Sequence, residues 1–199
     1  MRGFPIGKGP SAADELKRPG STDAWTGAWP QSSEEFEGLV EAYLDRLLRY
    51  ALRRLGNLRD AEDVVQEVFV RAFAERAKRK HISEVGPYLY RMVNNACTDL
   101  QRKRSEVSFE EVDANIIPYT GRTPLETVTM DEETTGAEEL LRRLPGKQAE
   151  VIRLRVMEGL TLKEISIVVG CSVYTVGSRL RIGFEKLRKI VAKEARVGR

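Results

Sequence analysis

From Phe36 onward, apolar residues recur at Leu39, Val40, Tyr43, Leu44, Leu47, Leu48, Ala51, Leu52 and Leu55. This i, i+3, i+4, i+7 spacing predicts an amphipathic helix of more than five turns. Ser32 or Ser33 can cap its start, acids crowd its first turn, and Gly56 can end it. A second helix is expected from about Ala61, with Asp60 as N-cap and a core face of Ala61, Val64, Val65, Val68, Phe69, Ala72 and Phe73. A third begins at Pro87, suited to a first helical turn, and turns Leu89, Met92, Val93, Ala96 and Leu100 inward. Three helices with short connections make a small bundle over residues 33–104.

Residues 105–136 show no sustained period and are rich in acids, prolines and threonines, so they read as a flexible acidic linker. Helical spacing returns from 137 to 199. Two short helices lead to "TLKEISIVVG", where Thr161 and Glu164 form a capping box and Gly170 occupies a C-terminal cap. After that tight turn Ser172 can cap a long basic helix, expected to pack through Val173, Val176, Leu180, Phe184, Leu187 and Val191. A short helix, a glycine turn and a longer basic helix are the signature of a helix-turn-helix. The expected fold class is all-α, with two small helical domains.

Charge sharpens this division. The net charge is only +3, yet residues 140–199 carry 14 Lys and Arg against 5 Asp and Glu, while residues 105–139 carry 1 against 10. A basic block behind an acidic linker points to nucleic acid at the C-terminal end. Residues 1–32 are rich in Gly, Pro and Ser and lack the apolar core of a signal peptide, so a disordered tail is expected there, with Trp25 and Trp29 in it. No run of eighteen apolar residues offers a membrane span. Two distant cysteines and a single histidine make a disulfide framework or zinc site improbable and suit a reducing cytoplasm.

Two groups of residues carry candidate chemistry. On the last helix Tyr174, Ser178 and Arg181 lie on the groove face of a helix-turn-helix with Arg179 and Lys186 toward its flanks, and Lys163 sits where phosphate contact is expected. On the second predicted helix Asp60, Asp63 and Glu67 share a face with Gln66 beside them. Such acids can hold a metal, decorate a solvated surface or dock a basic partner. A carboxylate-bridged metal site of the bundle type needs a Glu-x-x-His partner that this chain lacks. Docking to a protein fits best, with Gln66 adding directional hydrogen bonds. No metal, cofactor or catalytic residue is expected.

With those residues in view, the chain resembles a bacterial sigma factor of the extracytoplasmic-function (ECF) type, within the sigma-70 family. "DAEDVVQEVFVRAF" is similar to the "DAEDLVQETFLRAW" pattern of sigma region 2. "YLYRMVNNACTDLQRKR" resembles that region's promoter-melting helix, and residues 141–189 resemble the region 4 helix-turn-helix. The resemblance implies a non-enzymatic factor that confers promoter recognition and melting on RNA polymerase. It implies that Asp60, Asp63, Gln66 and Glu67 dock the clamp helices of the β′ subunit. Tyr88, Arg91, Asn94, Asn95, Arg102 and Lys103 are implied for the −10 element. Lys163, Tyr174, Ser178, Arg179 and Arg181 are implied for the −35 element, with region 4 also touching the β flap. An anti-sigma factor is a further partner common in the family.

Geometry is compatible with that reading. Two turns of DNA span roughly 70 Å; a 32-residue coil averages about 30 Å but stretches to about 110 Å. Two departures stand out. Tyr88 replaces the Trp usual before the melting helix, and Gly177, Ile182 and Phe184 occupy recognition-helix positions that are often basic, which predicts unusual −35 readout. The rival readings are a free-standing helix-turn-helix regulator and a metal-dependent nuclease.

Overall fold

The computed structural model describes residues 25, 28–78, 81–110 and 132–197, with side chains described outside 107–110, 132–135 and 196–197. Among these residues the structure is all-helical: α1 (Ser33–Leu55), α2 (Leu58–Glu75) followed by a 3-10 turn (Arg76–Lys78), α3 (Val85–Glu110), α4 (Glu132–Arg142), α5 (Gly146–Val156), α6 (Leu162–Val169) and α7 (Val173–Val197).

The ends of α1 are fixed as the sequence predicts. Ser32 accepts from the Glu35 backbone N–H while the Glu35 carboxylate accepts from the Ser32 N–H, and Gly56 closes the helix at φ 70°. These bonds satisfy groups that a helix terminus leaves orphaned. The start of α2 differs from expectation. Asn57, not Asp60, is the N-cap, its side chain accepting from the Asp60 N–H. That frees Asp60 for another partner.

α1, α2 and α3 bury Phe36, Leu39, Leu47, Val65, Val68, Leu89 and Val93 between them. Trp29 corrects the expectation of a tail through residue 32. It is only 1% exposed, its indole N–H donates to the Arg76 carbonyl at 3.1 Å, and its ring meets Tyr88 edge-on at 5.3 Å. Residues 1–24, 26 and 27 of that tail lie outside the described residues. The linker is likewise shorter than expected at both ends, because α3 runs on to Glu110 and α4 begins at Glu132; residues 111–131 lie outside the described residues.

In the C-terminal block, α5 and α6 pack on α7 around Val151, Ile152, Leu154, Ile165, Val168, Val176 and Leu180. The capping box of Thr161 and Glu164 is present, and Gly170 ends α6 in the left-handed region that favours glycine. The predicted inward stripe of α7 is rotated. Val176 and Leu180 are buried, but Val173, Phe184 and Val191 are exposed. The reason is Gly183, which brings α7 so close to α5 that an added Cβ would meet Ile152 Cδ1 at 2.7 Å.

The two blocks also touch. α6 lies against α3, and polar side chains of α1 and α3 meet one carboxylate within α5, Glu150, and one just beyond it, Glu158. The predicted separation into two helical blocks therefore holds for the chain's organisation, while the blocks pack together in this closed form.

Candidate functional site

The acidic helix presents two kinds of surface. Leu44, Asp45 and Leu48 of α1 and Glu62, Val65, Gln66, Phe69 and Val70 of α2 line an open groove of about 420 Å³. Val70 is 62% exposed in it, an apolar floor rimmed by two carboxylates and an amide. Asp63, Gln66 and Glu67 are exposed beside or on this groove, and Glu67 is braced by Arg71 at 2.5 Å. Asp60 is not part of that face. It turns to Arg104 of α3 at 2.7 Å and is mostly buried, so Glu62 takes the place on the rim that the sequence assigned to Asp60. Among the described residues no three His, Cys, Asp or Glu side chains converge on a metal-sized site.

On α3, Arg91, Asn95, Arg102 and Lys103 are exposed. Arg91, Asn95 and Arg102 follow i, i+4, i+11 spacing and share one stripe. Arg102 lies near Asp99 at 3.4 Å and Glu106 at 3.7 Å. Asn94 faces the other way, half-buried, with its carbonyl oxygen accepting from Arg54 and lying 3.3 Å from the Tyr50 hydroxyl. Tyr88 is half-buried against Trp29.

The helix-turn-helix has the expected shape: α6 and α7 meet at a bend of 100°. The start of α7 is held by Ser172, whose hydroxyl accepts from the Thr175 N–H. Tyr174 is 89% exposed, and Ser178 and Arg181 follow it on the same outward face, at i+4 and i+7. Arg181 pairs with Glu185 at 2.9 Å. Arg179 points elsewhere, its guanidinium 3.5 Å from the Cys171 sulfur. Lys163 reaches back across the block boundary to Glu84 at 3.2 Å.

Sequence reasoning missed the polar network that joins the blocks. Glu150 of α5 receives the Tyr50 hydroxyl and lies 3.3 Å from Arg54. Glu158, just after α5, receives Arg53 at 2.6 Å and the Tyr90 hydroxyl at 2.7 Å. The two phenol rings are edge-on at 5.2 Å. Arg153 backs the network, forked onto both Glu138 oxygens at 2.8 Å and onto Glu150 at 2.8 Å. Burial pushes the Glu158 carboxyl above its usual range, opposed by Arg53 and by the Tyr90 hydrogen bond. Burial likewise raises both phenols, and Glu150 and Glu158 raise them further. For Arg54 burial works against the charge, but Glu150 and Tyr50 outweigh it and its pKa rises. The partners are 100 and 105 residues apart in the chain, beyond the reach of any local pattern.

Among the described residues the structure is all-helical, with an apolar groove rimmed by acids in one block and a helix-turn-helix in the other. Comparison with known proteins makes the class specific. Sigma-70 region 2 matches residues 39–107 and sigma-70 region 4 matches residues 136–187. The chain is 30% identical to the RNA polymerase sigma-E factor of Streptomyces coelicolor, over 80% of this chain and 88% of that one. It is 29% identical to the ECF RNA polymerase sigma factor SigW of Bacillus subtilis, over 78% of this chain and 88% of that one. The fold is similar to the sigma factor RpoE of Bartonella quintana, solved in complex with the anti-sigma factor NepR, at 21% identity and a TM-score of 0.66, covering 80% of this chain and 98% of that one. The chain belongs to the ECF sigma factors of the sigma-70 family, the subunits that bind RNA polymerase for transcription initiation. Region 2 is the α1–α3 block and region 4 the α4–α7 block.

Proposed function

We propose that the α1–α2 groove is the surface on which RNA polymerase core docks through the β′ clamp helices. The groove carries this reading. Its floor of Leu44, Leu48, Val65, Phe69 and Val70 gives an interface a centre to desolvate, and Asp45, Glu62, Asp63, Gln66 and Glu67 give it a rim complementary to a basic partner.

The α3 stripe of Arg91, Asn95, Arg102 and Lys103 takes the −10 strand, with Asn94 joining once region 4 no longer crowds it. Tyr88 acts from beneath, as packing against Trp29. Tyr174, Ser178 and Arg181 of α7 read the −35 duplex, Arg179 lies at the edge of that face, and Lys163 contacts phosphate after leaving Glu84. Val156, Phe184 and Val191, apolar and exposed, are the region 4 side chains suited to the β flap. The acidic linker passes between the two DNA elements. An anti-sigma factor is a further partner, supported by the bound NepR of the Bartonella relative. The factor is cytoplasmic and performs no chemistry of its own; among the described residues no single helix is long and apolar enough to cross a membrane.

The test is run-off transcription with purified core polymerase on a promoter library. Selective initiation that requires this chain supports the reading. Transcription equal with and without the chain overturns it.

A further inference from the structure

We propose that the α1–α3 face carries a paired phosphate-binding site, Arg54 with Tyr50 and Arg53 with Tyr90, which Glu150 and Glu158 occupy in the closed chain and which phosphodiesters of single-stranded promoter DNA take when region 4 moves away. This rests on the reading that region 2 handles the −10 strand.

The two halves of the site have the same chemistry. Each holds a region 4 carboxylate between one guanidinium and one phenol hydroxyl: Arg54 and Tyr50 on Glu150, Arg53 and Tyr90 on Glu158. A carboxylate and a phosphodiester each carry one negative charge and present two acceptor oxygens. A guanidinium fork binds either bidentately. Cations beside aromatic rings are also the composition of surfaces that bind single strands without sequence preference. Here the edge-on contact of the Tyr50 and Tyr90 rings fixes the two halves side by side.

Glu158 leaves one donor over. Arg53 Nε is buried without an acceptor in the closed chain, so the site can make more bonds than its present occupant accepts. Asn94 ties the site to the −10 face, since its carbonyl oxygen accepts from Arg54 and lies 3.3 Å from the Tyr50 hydroxyl. Arg54 is further steadied by Thr98 at 3.1 Å, so it keeps α3 partners when Glu150 departs. None of these residues lines the docking groove, and polymerase can therefore bind while the site is still closed. Because the carboxylates are tethered, they compete at high effective concentration, and the free chain binds DNA weakly.

The experiment uses the full chain without polymerase and a fluorescent random-sequence 20-mer of single-stranded DNA, followed by anisotropy. E150A/E158A removes both tethered carboxylates from the site, and its affinity rises at least about tenfold over wild type. Adding R53Q/R54Q returns binding to the wild-type level or below and lowers the slope of log affinity against log salt by about 1.4, the value for two phosphates on a single strand. E62Q/E67Q, with the same net-charge change on the docking face, shifts affinity less than about twofold. Should the fourfold variant lose its helical circular dichroism, E158A against R53Q/E158A repeats the comparison on one half of the site.

The proposal is overturned if E150A/E158A binds no tighter than wild type, if the gain survives loss of both arginines, or if E62Q/E67Q gains as much. Polymerase is absent from the assay, so failure here leaves the reading of the docking groove standing, and failure of transcription leaves this result standing.

Discussion

The carboxylates of region 2 and region 4 make opposite use of the same chemistry. Glu62, Asp63 and Glu67 stand in solvent on α2, where water screens them and each contributes little to the fold. Glu150 and Glu158 are turned into the seam between the blocks, where burial makes an unpaired charge costly and each is met by an arginine and a tyrosine. Position relative to the other block, rather than residue type, separates a surface offered outward from one already occupied. Asp60 lies between the two cases: it sits on the acidic helix, yet Arg104 has claimed it.

Reversing the outward set gives the largest effect expected. Asp63→Lys with Glu67→Lys opposes a basic partner at two points and weakens core-polymerase affinity at least about 100-fold, roughly 2.7 kcal/mol. The thermal midpoint hardly moves, because such exposed changes stay within about 0.5 kcal/mol. Fluorescence titration and a melting curve check the two halves of that statement.

Truncating the inward set does the reverse. Glu158→Ala leaves Arg53 and Tyr90 buried without their acceptor, a loss of about 3–5 kcal/mol if the seam stayed shut. The chain relieves this by opening, and its radius of gyration in small-angle scattering increases. The raised Glu158 carboxyl adds a pH signature. The closed form binds the proton more readily than the open form, so closure strengthens as pH falls from the raised value toward the ordinary 4.5 and weakens as pH rises. Scattering across that range shows the trend in wild type and not in Glu158→Gln.

Smaller effects are expected on α7, away from both sets. Arg181→Ala removes a groove-face cation and lowers −35-dependent initiation by roughly 5–150-fold, the range of about 1–3 kcal/mol for one base contact. Equal loss on a promoter with a scrambled −35 element would contradict that role. Gly177→Ala raises unfolding stability by about 1 kcal/mol, since an added Cβ there meets nothing within 4 Å; denaturant melts measure it.

Much of this was legible in the sequence because it is local. The capping boxes of Ser32 with Glu35 and Thr161 with Glu164, the glycines at 56 and 170, and the helical spacing each depend on residues a few positions apart. The outward position of Asp63, Gln66, Glu67, Tyr174, Ser178 and Arg181 follows from the same periodicity. What escaped depends on distance. Trp29 lies in a Pro- and Gly-rich stretch with no period, and its partners are the Arg76 carbonyl and Tyr88. Its indole packs edge-on against Tyr88, the residue that stands where the family pattern has a Trp. The inward stripe of α7 was misplaced because Val173, Phe184 and Val191 satisfy helical spacing as well as the buried positions do. Only the close approach at Gly183 decides between them. Asn94 and Asn95 are adjacent and chemically identical, yet α1 takes the first and solvent the second.

One sizing-column experiment crosses the two sets of acids directly. Wild type, Asp63→Lys/Glu67→Lys and Glu158→Ala are each run alone and after mixing with core polymerase at low salt. The wild type co-elutes with polymerase and runs compact alone; the α2 variant runs compact but separates from polymerase; the Glu158 variant runs expanded yet still co-elutes. An α2 variant that stays with polymerase as the wild type does would contradict the assignment of that surface.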